Sequence, residues 1–343
     1  MKPTPTTFLL VVLLVLSTLA AHAQTIRRVN NTGITGTNIY TTLQAAHDAA
    51  ASGDFIYLEP NDNSYGNLTC TKQLTIIGTG YFLEQNPGLQ LDKREATVGA
   101  ISFNSSSAGS RITGCTIAST LYVGASNMIV ERNYLRSVLY IGYSGSEGYT
   151  SVANTVVRQN YINSNLSFFL NTNSVTNTLI ANNIIVGGIG GGNNANLTNT
   201  VITNNAIGSA TGNNGAGIDV NNTVIKNNIL TSTSANIFTL RNNAVSYNIS
   251  AGAQFGTGNG NQQNVSATSL FVGGTASTDG AYQLRTGTNP ARGAGENGTD
   301  VGPFGGATPY RVAGIPNVPT IYQYNQTVSG NTLNATISTR SNN

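Results

Sequence analysis

From residue 100 to residue 275 the chain carries only three carboxylates, Glu131, Glu147 and Asp219. Inverting cleavage of a glycosidic bond needs two carboxyl groups roughly 6.5–9.5 Å apart, one as acid and one activating water. Eliminative cleavage needs a base such as Lys, Arg or Tyr, and calcium-binding acids or an arginine to neutralise a uronate. Histidine chemistry has little to draw on, because only His22 and His47 occur. The stretch GIGGGNN at 188–194 is glycine-rich but has no lysine and no following helical pattern, so it reads as a turn-rich strand, not a phosphate cradle. Asp54, Asp62, Asp279 and Asp300 are scattered at turn-like positions, where Asp is expected on backbone grounds alone. No metal site and no cofactor are expected. The several Asn-x-Ser/Thr sequons follow from composition.

Whatever chemistry exists must be placed by a repeat. Residues 199–207 read NTVITNNAI and residues 222–230 read NTVIKNNIL. Aligning on the second asparagine of such blocks gives Asn133, Asn160, Asn183, Asn205, Asn228 and Asn248, with Cys115 one step earlier. The intervals are 18, 27, 23, 22, 23 and 20 residues. Three positions before the anchors stand Ile112, Val130, Val157, Ile180, Ile202, Ile225 and Val245. Two positions after stand Ile117, Leu135, Ile162, Ile185, Ile207, Leu230 and Ser250. The position two before the anchor is Thr113, Glu131, Arg158, Ala181, Thr203, Lys226 and Ser246. Aliphatic, then polar or charged, is the alternation of a strand with one face buried. Glycine and β-branched residues at this density disfavour a helical repeat.

Between anchors lies a second apolar burst: Leu121-Tyr122-Val123, Leu139-Tyr140-Ile141, Phe168-Phe169-Leu170, Ile218-Asp219-Val220 and Ile237-Phe238-Thr239-Leu240. At least two short strands per repeat of roughly 22 residues make one turn of a parallel β-helix, with coils stacked about 4.8 Å apart. The fold class is therefore all-β, a parallel β-helix solenoid. The anchors read as a structural asparagine ladder, since Asn tolerates left-handed corners and can hydrogen-bond from coil to coil. An asparagine-lined ligand groove is the alternative use.

Residues 25–306 resemble the right-handed parallel β-helix proteins of the pectin-lyase-like superfamily. YTTLQAAHDAAASGDFIYLEP is similar to the family's entry segment, in which a short amphipathic helix caps the open end. The resemblance implies a helix over 41–52 with Leu43, Ala46 and Ala50 against the first coil and Gly53 ending it. LTIIGTGYFL at 74–83 resembles the first full coil, and TSLFVGG with DGAYQLRTGTNPARGAGENGTDVGPFGG the closing coils. The domain plan is thus a signal peptide at 1–23, a β-helix at 24–306 and a tail at 307–343. Within the β-helix, 67–275 are repeated coils and 276–306 closing coils. The proline-punctuated tail reads as an extended strap, a hairpin or a linker. The superfamily holds lyases, hydrolases and adhesins, so the resemblance speaks to fold more than to activity.

Glu131 and Asp219 fall on different strands of the coil and are not expected to converge. Asp219 with Arg241 is the remaining candidate, one coil apart on one face. By alternation Tyr122, Tyr140 and Phe169 lie outward on that face in preceding coils. An aromatic stripe beside one Asp and one Arg would suit a polysaccharide or cell-surface glycan. The bland reading is a surface ion pair with the aromatics packed beneath insertions such as 142–154. The sequence thus favours a non-catalytic binding or structural module, with a polysaccharide lyase or glycosidase as the alternative.

Lys2, the apolar Phe8–Leu19 and Ala21-His22-Ala23 read as a secretory signal ending at residue 23, so the mature chain is expected outside the cell, at its surface or in a periplasm. No apolar run beyond it is long enough for a membrane span. Without Lys2 the balance is 15 basic to 13 acidic side chains, which gives no reason to expect nucleic acid as a partner. Secretion would favour a Cys70–Cys115 disulfide. The register places Cys70 inside the first coil and Cys115 in an Asn-corner slot, too far apart for a bridge, so two buried thiols are expected.

Overall fold

The computed structural model describes residues 24–191, 197–208, 217–233, 242–274 and 276–342. Residues 1–23, expected as a signal peptide, the Ile237–Leu240 burst and Arg241 lie outside them. Three all-parallel sheets of eleven, seven and eight strands stack between Ile26 and Ser250, which is the architecture of a parallel β-helix. The coil containing Asn133 shows the plan. Ile129–Glu131 belongs to the eleven-stranded sheet, Tyr134–Leu135 to the eight-stranded one and Leu139–Ile141 to the seven-stranded one.

The interior is a set of stacked aliphatic columns. Ile112, Val130, Val157, Ile180, Ile202 and Ile225 lie in one register and are fully buried, as are Ile117, Leu135 and Ile162 on the neighbouring sheet. The helix covering the open end spans Leu43–Ala49, with Thr42 Oγ1 accepting from the Ala45 N–H at its start. Leu43, Ala46 and Ala50 join the core of the solenoid. The helix is shorter than 41–52; Ala50 leaves it in extended conformation, and Gly53 (φ +92°) instead makes the turn into Phe55–Leu58.

The asparagine pairs divide two tasks. The first member of each pair, not the anchor, takes the left-handed torsion: Asn182, Asn204 and Asn227 have φ of 54°, 55° and 56°, and Arg132, Gln159 and Tyr247 occupy the same place with φ of 54°, 57° and 56°. The second member is buried and makes the ladder. Asn205 Oδ1 accepts from Asn183 N and Nδ2 at 2.9 and 3.0 Å, while Asn205 N and Nδ2 donate to Asn228 Oδ1 at 3.0 and 2.9 Å. The ladder starts at Cys115, whose N–H donates to Asn133 Oδ1, and continues past Asn248 to Asn261. A second left-handed row stands six residues before the anchors, at Asn127, Asn154, Asn177, Asn199, Asn222 and Asn242. Its exposed side chains link the coils through Asn154–Asn127, Asn177–Asn154 and Asn199–Asn177 hydrogen bonds of 2.9–3.2 Å.

Residues 276–306, expected as closing coils, add no rung to the three sheets. They turn back along the outside of the solenoid. Leu270, Phe271, Ala291 and Val301 pack on the outward side chains Ala206, Ile229 and Ile249. The chain then descends the left-handed row toward the first coil, held by its side chains. Glu296 N donates to Asn227 Oδ1 at 2.9 Å, Asn182 Nδ2 to the Pro303 and Gly305 carbonyls at 2.9 and 2.8 Å, Gln159 Nε2 to Pro309 O at 2.6 Å and Arg132 Nη1 to Ile315 O at 3.1 Å. At the far end Tyr81 Oη meets Tyr310 Oη at 2.5 Å, and the buried Asp279 accepts from Tyr310 Oη and the Ala313 N–H. The strap comes so close that a Cβ at Gly80 (φ +97°) would lie 2.6 Å from the Ala313 carbonyl oxygen. Beyond it, Thr320–Ser329 and Thr332–Arg340 form an antiparallel ribbon.

Cys70 and Cys115 are buried and unpaired. Burial pushes the Cys70 thiol up to about 11 and that of Cys115 further. Both thiols should resist alkylation in the native protein, and both should be labelled when it is unfolded without reductant. Finding neither labelled would mean a disulfide.

Candidate functional site

Glu131, expected as an outward charge, is on the outer side of its strand but only 1% exposed. Both carboxylate oxygens are taken. Arg111 donates to Oε1, and Arg158 to Oε2 at 2.7 Å. Burial raises its pKa, but the two guanidiniums outweigh that and hold the carboxyl below its usual range. This arrangement is a fixed ion cluster. Lys226, of the same outward column, pairs with Glu296 of the strap at 2.5 Å.

The seven-stranded sheet carries the aromatic face. Its outward column runs Thr69, Ser102, Tyr122, Tyr140, Ser167, Gly190, Asp219. Tyr122 and Tyr140 stack at 5.6 Å with rings 15° from parallel. Phe169 is not in this register, since Ser167 takes the place beneath Tyr140 and Phe168 points inward. Its ring nevertheless swings to Tyr140, at 5.0 Å and 75°. Asp219 stands three coils from Tyr140, roughly 14 Å away, with Ser167 and Gly190 between, and is itself buried. Tyr122, Tyr140 and Phe169 are thus brought together, Asp219 is not, and Arg241 lies outside the described residues.

Two further aromatics come from the 142–154 insertion. It folds into a small hairpin, Tyr143–Ser144 against Gly148–Tyr149, lying over the start of the column. Tyr143 covers Tyr122 at 5.8 Å and meets Phe169 at 4.8 Å, and Tyr149 stacks on Phe169 at 5.3 Å and 21°. A polar knot pins the hairpin: Ser144 Oγ and Ser146 Oγ donate to Asn104 Oδ1, Gly145 N to Ser102 Oγ, and Glu147 accepts from Ser105 N and Oγ. Glu147 therefore fastens a turn. The insertion partly covers Tyr122, in the direction of the bland reading, and adds a wall beside Tyr140.

A groove of about 450 Å³ opens there, lined by Tyr140, Tyr149, Phe169 and Leu170 with Ser167, Asn165, Gly190 and Gly191. Small residues at Ser167 and Gly190 make the notch, because the two coils beyond Tyr140 place no bulky side chain over it. The arrangement offers ring faces for apolar contact and Asn and Ser groups for hydrogen bonds. Sequence spacing alone missed Tyr143 and Tyr149, whose only signal was aromatics in an insertion that lengthens one interval to 27 residues.

No family model matches this sequence, and no curated protein or solved structure matches it. Among the described residues no group of three or more His, Cys, Asp or Glu side chains is placed to hold a metal ion, and no helix is long and apolar enough to cross a membrane.

Proposed function

We propose that the protein is a secreted or surface-displayed binding module, of the pectin-lyase-like kind by its entry and coil motifs, whose groove takes a polysaccharide chain. The observation that carries this reading is the groove bounded by Tyr140, Tyr149 and Phe169 on a rigid sheet face. Sugars present C–H faces that sit on aromatic rings and hydroxyls that need small polar partners. Ser167 and Asn165 supply such partners. A pinned hairpin loses little freedom on binding, which favours affinity from a small contact.

Affinity electrophoresis against a panel of neutral and acidic polysaccharides tests the reading. One polymer should retard the protein, and Tyr149→Ala should weaken that retardation about five- to thirty-fold, the equivalent of about 1–2 kcal/mol. Tyr149 is half exposed and outside the solenoid core, so its loss should leave the melting temperature nearly unchanged. Retardation indifferent to both Tyr149→Ala and Tyr140→Ala would remove this groove as the site. Ultraviolet absorbance from unsaturated uronates, released from any polymer in the panel, would replace the binding reading with a lyase.

A further inference from the structure

The C-terminal ribbon has one apolar face and one polar face. Cross-strand partners share a face, so Tyr324 with Ile337, Gln326 with Ala335 and Val328 with Leu333 form one side. Gln323, Asn325, Thr327 and Ser329, with Ser338, Thr336, Asn334 and Thr332, form the other. The irregularity between Ile321 and Gln323 shifts the alternation by one residue and returns Ile321, opposite Thr339, to the apolar side. Val328, Leu333 and Ile337 are 72%, 61% and 58% exposed, so among the described residues the stripe is left largely uncovered. A two-stranded ribbon with its apolar face in water is only marginally stable alone.

At the ribbon's base lies an apolar groove of about 820 Å³, lined by Ile26, Leu91, Pro316, Val318, Pro319 and Ile321 among others. Ile321 belongs both to the groove and to the stripe, so the two form one continuous surface. The tip pair Val328–Leu333 stands at the other end, roughly 23 Å from Ile321 at about 3.3 Å per residue.

We propose that the chain pairs with a second copy of itself, the two ribbons lying antiparallel face to face. The tip of each then seats in the groove at the base of the other. Antiparallel overlay of equal ribbons brings tip to base at both ends at once, which closes the assembly as a twofold dimer. From Thr320 to Thr339 the ribbon carries no charged side chain, so like faces meet without repulsion. Five stripe residues with Ile26 and Leu91, at roughly 60–120 Å² each, would bury roughly 800–1,700 Å² over both copies. That range reaches the size of stable interfaces, about 1,200 Å² and above.

Sedimentation velocity of the purified protein from micromolar to millimolar loading should show a monomer–dimer equilibrium. Val328→Asp with Leu333→Asp, at the exposed tip, should weaken it more than tenfold, and so should Leu91→Asp in the groove. The variant Leu333→Cys with Gln90→Cys, which puts one thiol on the apolar side of the tip and one in the groove, should give a disulfide-linked dimer under mild oxidation, since both native thiols are buried. A monomer throughout, with the ribbon left for some other partner, would overturn the proposal. A dimer that survives the tip variant, or that forms no crosslink, would overturn it equally.

Discussion

Asn205→Leu is expected to lower the unfolding free energy by roughly 3–6 kcal/mol, a large share of what a domain has in reserve. The side chain is fully buried and serves both neighbouring coils. Its Nδ2 donates to Ile180 O and Thr203 O at 3.0 Å each and to Asn228 Oδ1 at 2.9 Å. Its Oδ1 accepts from the Asn183 N–H and Nδ2. Leucine would leave the Asn183 N–H without its acceptor in a dry interior, at about 1–3 kcal/mol, and would remove the hydrogen bonds to Ile180 O, Thr203 O and Asn228 Oδ1, at about 0.5–1.5 kcal/mol each. Lys226→Ala, one coil on and at the surface, removes only a partly exposed pair with Glu296 and should cost under about 1 kcal/mol. Urea midpoints measured on both variants check the ordering, and a Lys226 variant that suffers more would sink the assigned register.

The second large effect is Glu131→Gln. The substitution keeps the shape but leaves Arg111 and Arg158 facing a neutral amide. Breaking a buried pair by removing one partner costs about 3–5 kcal/mol. Both arginines here are about one-third exposed, so roughly 1–3 kcal/mol at neutral pH is expected. The pH dependence follows from the sign of the shift. The folded pKa is depressed, so the stabilisation is complete above the ordinary glutamate range and fades as pH falls through the folded value. The neutral variant lacks this contribution at every pH, so the gap between the two proteins should be widest near pH 7 and narrow in acid. Denaturant curves across that range measure it; a gap that widens toward acid would contradict the ion cluster.

What could be read in the sequence was whatever repeats with period two inside a repeat of about 22 residues. The columns of Ile and Val declared the buried faces, and the anchors from Asn133 to Asn248 declared the ladder. The left-handed row immediately before them was hidden, because Arg132, Gln159 and Tyr247 occupy it as readily as asparagine does. Those positions answer to the strap, which Arg132 and Gln159 reach with long side chains. The resemblance makes residues 276–306 closing coils and leaves only 307–343 as a strap, hairpin or linker; Leu270, Phe271 and Val301 look like core residues. They are buried, but against the outside of the eight-stranded sheet. The candidate site was half legible: alternation found Tyr122 and Tyr140. It misplaced Phe169 by assuming that burst to be in register, where Leu166-Ser167-Phe168 is the strand. Tyr149 reaches the groove through a hairpin, and no column pattern encodes that. Asp219 does not reach the aromatics because small residues intervene on the coils between, and its expected partner Arg241 lies outside the described residues.

Diffraction from crystals grown with whichever oligosaccharide the affinity panel selects tests the account most directly. Sugar rings lying across Tyr140 and Phe169, with Tyr149 as the side wall and hydroxyls turned toward Ser167 and Asn165, are the predicted result. A well-ordered sugar bound elsewhere on the solenoid, with the groove between Tyr140 and Gly190 empty, would contradict it.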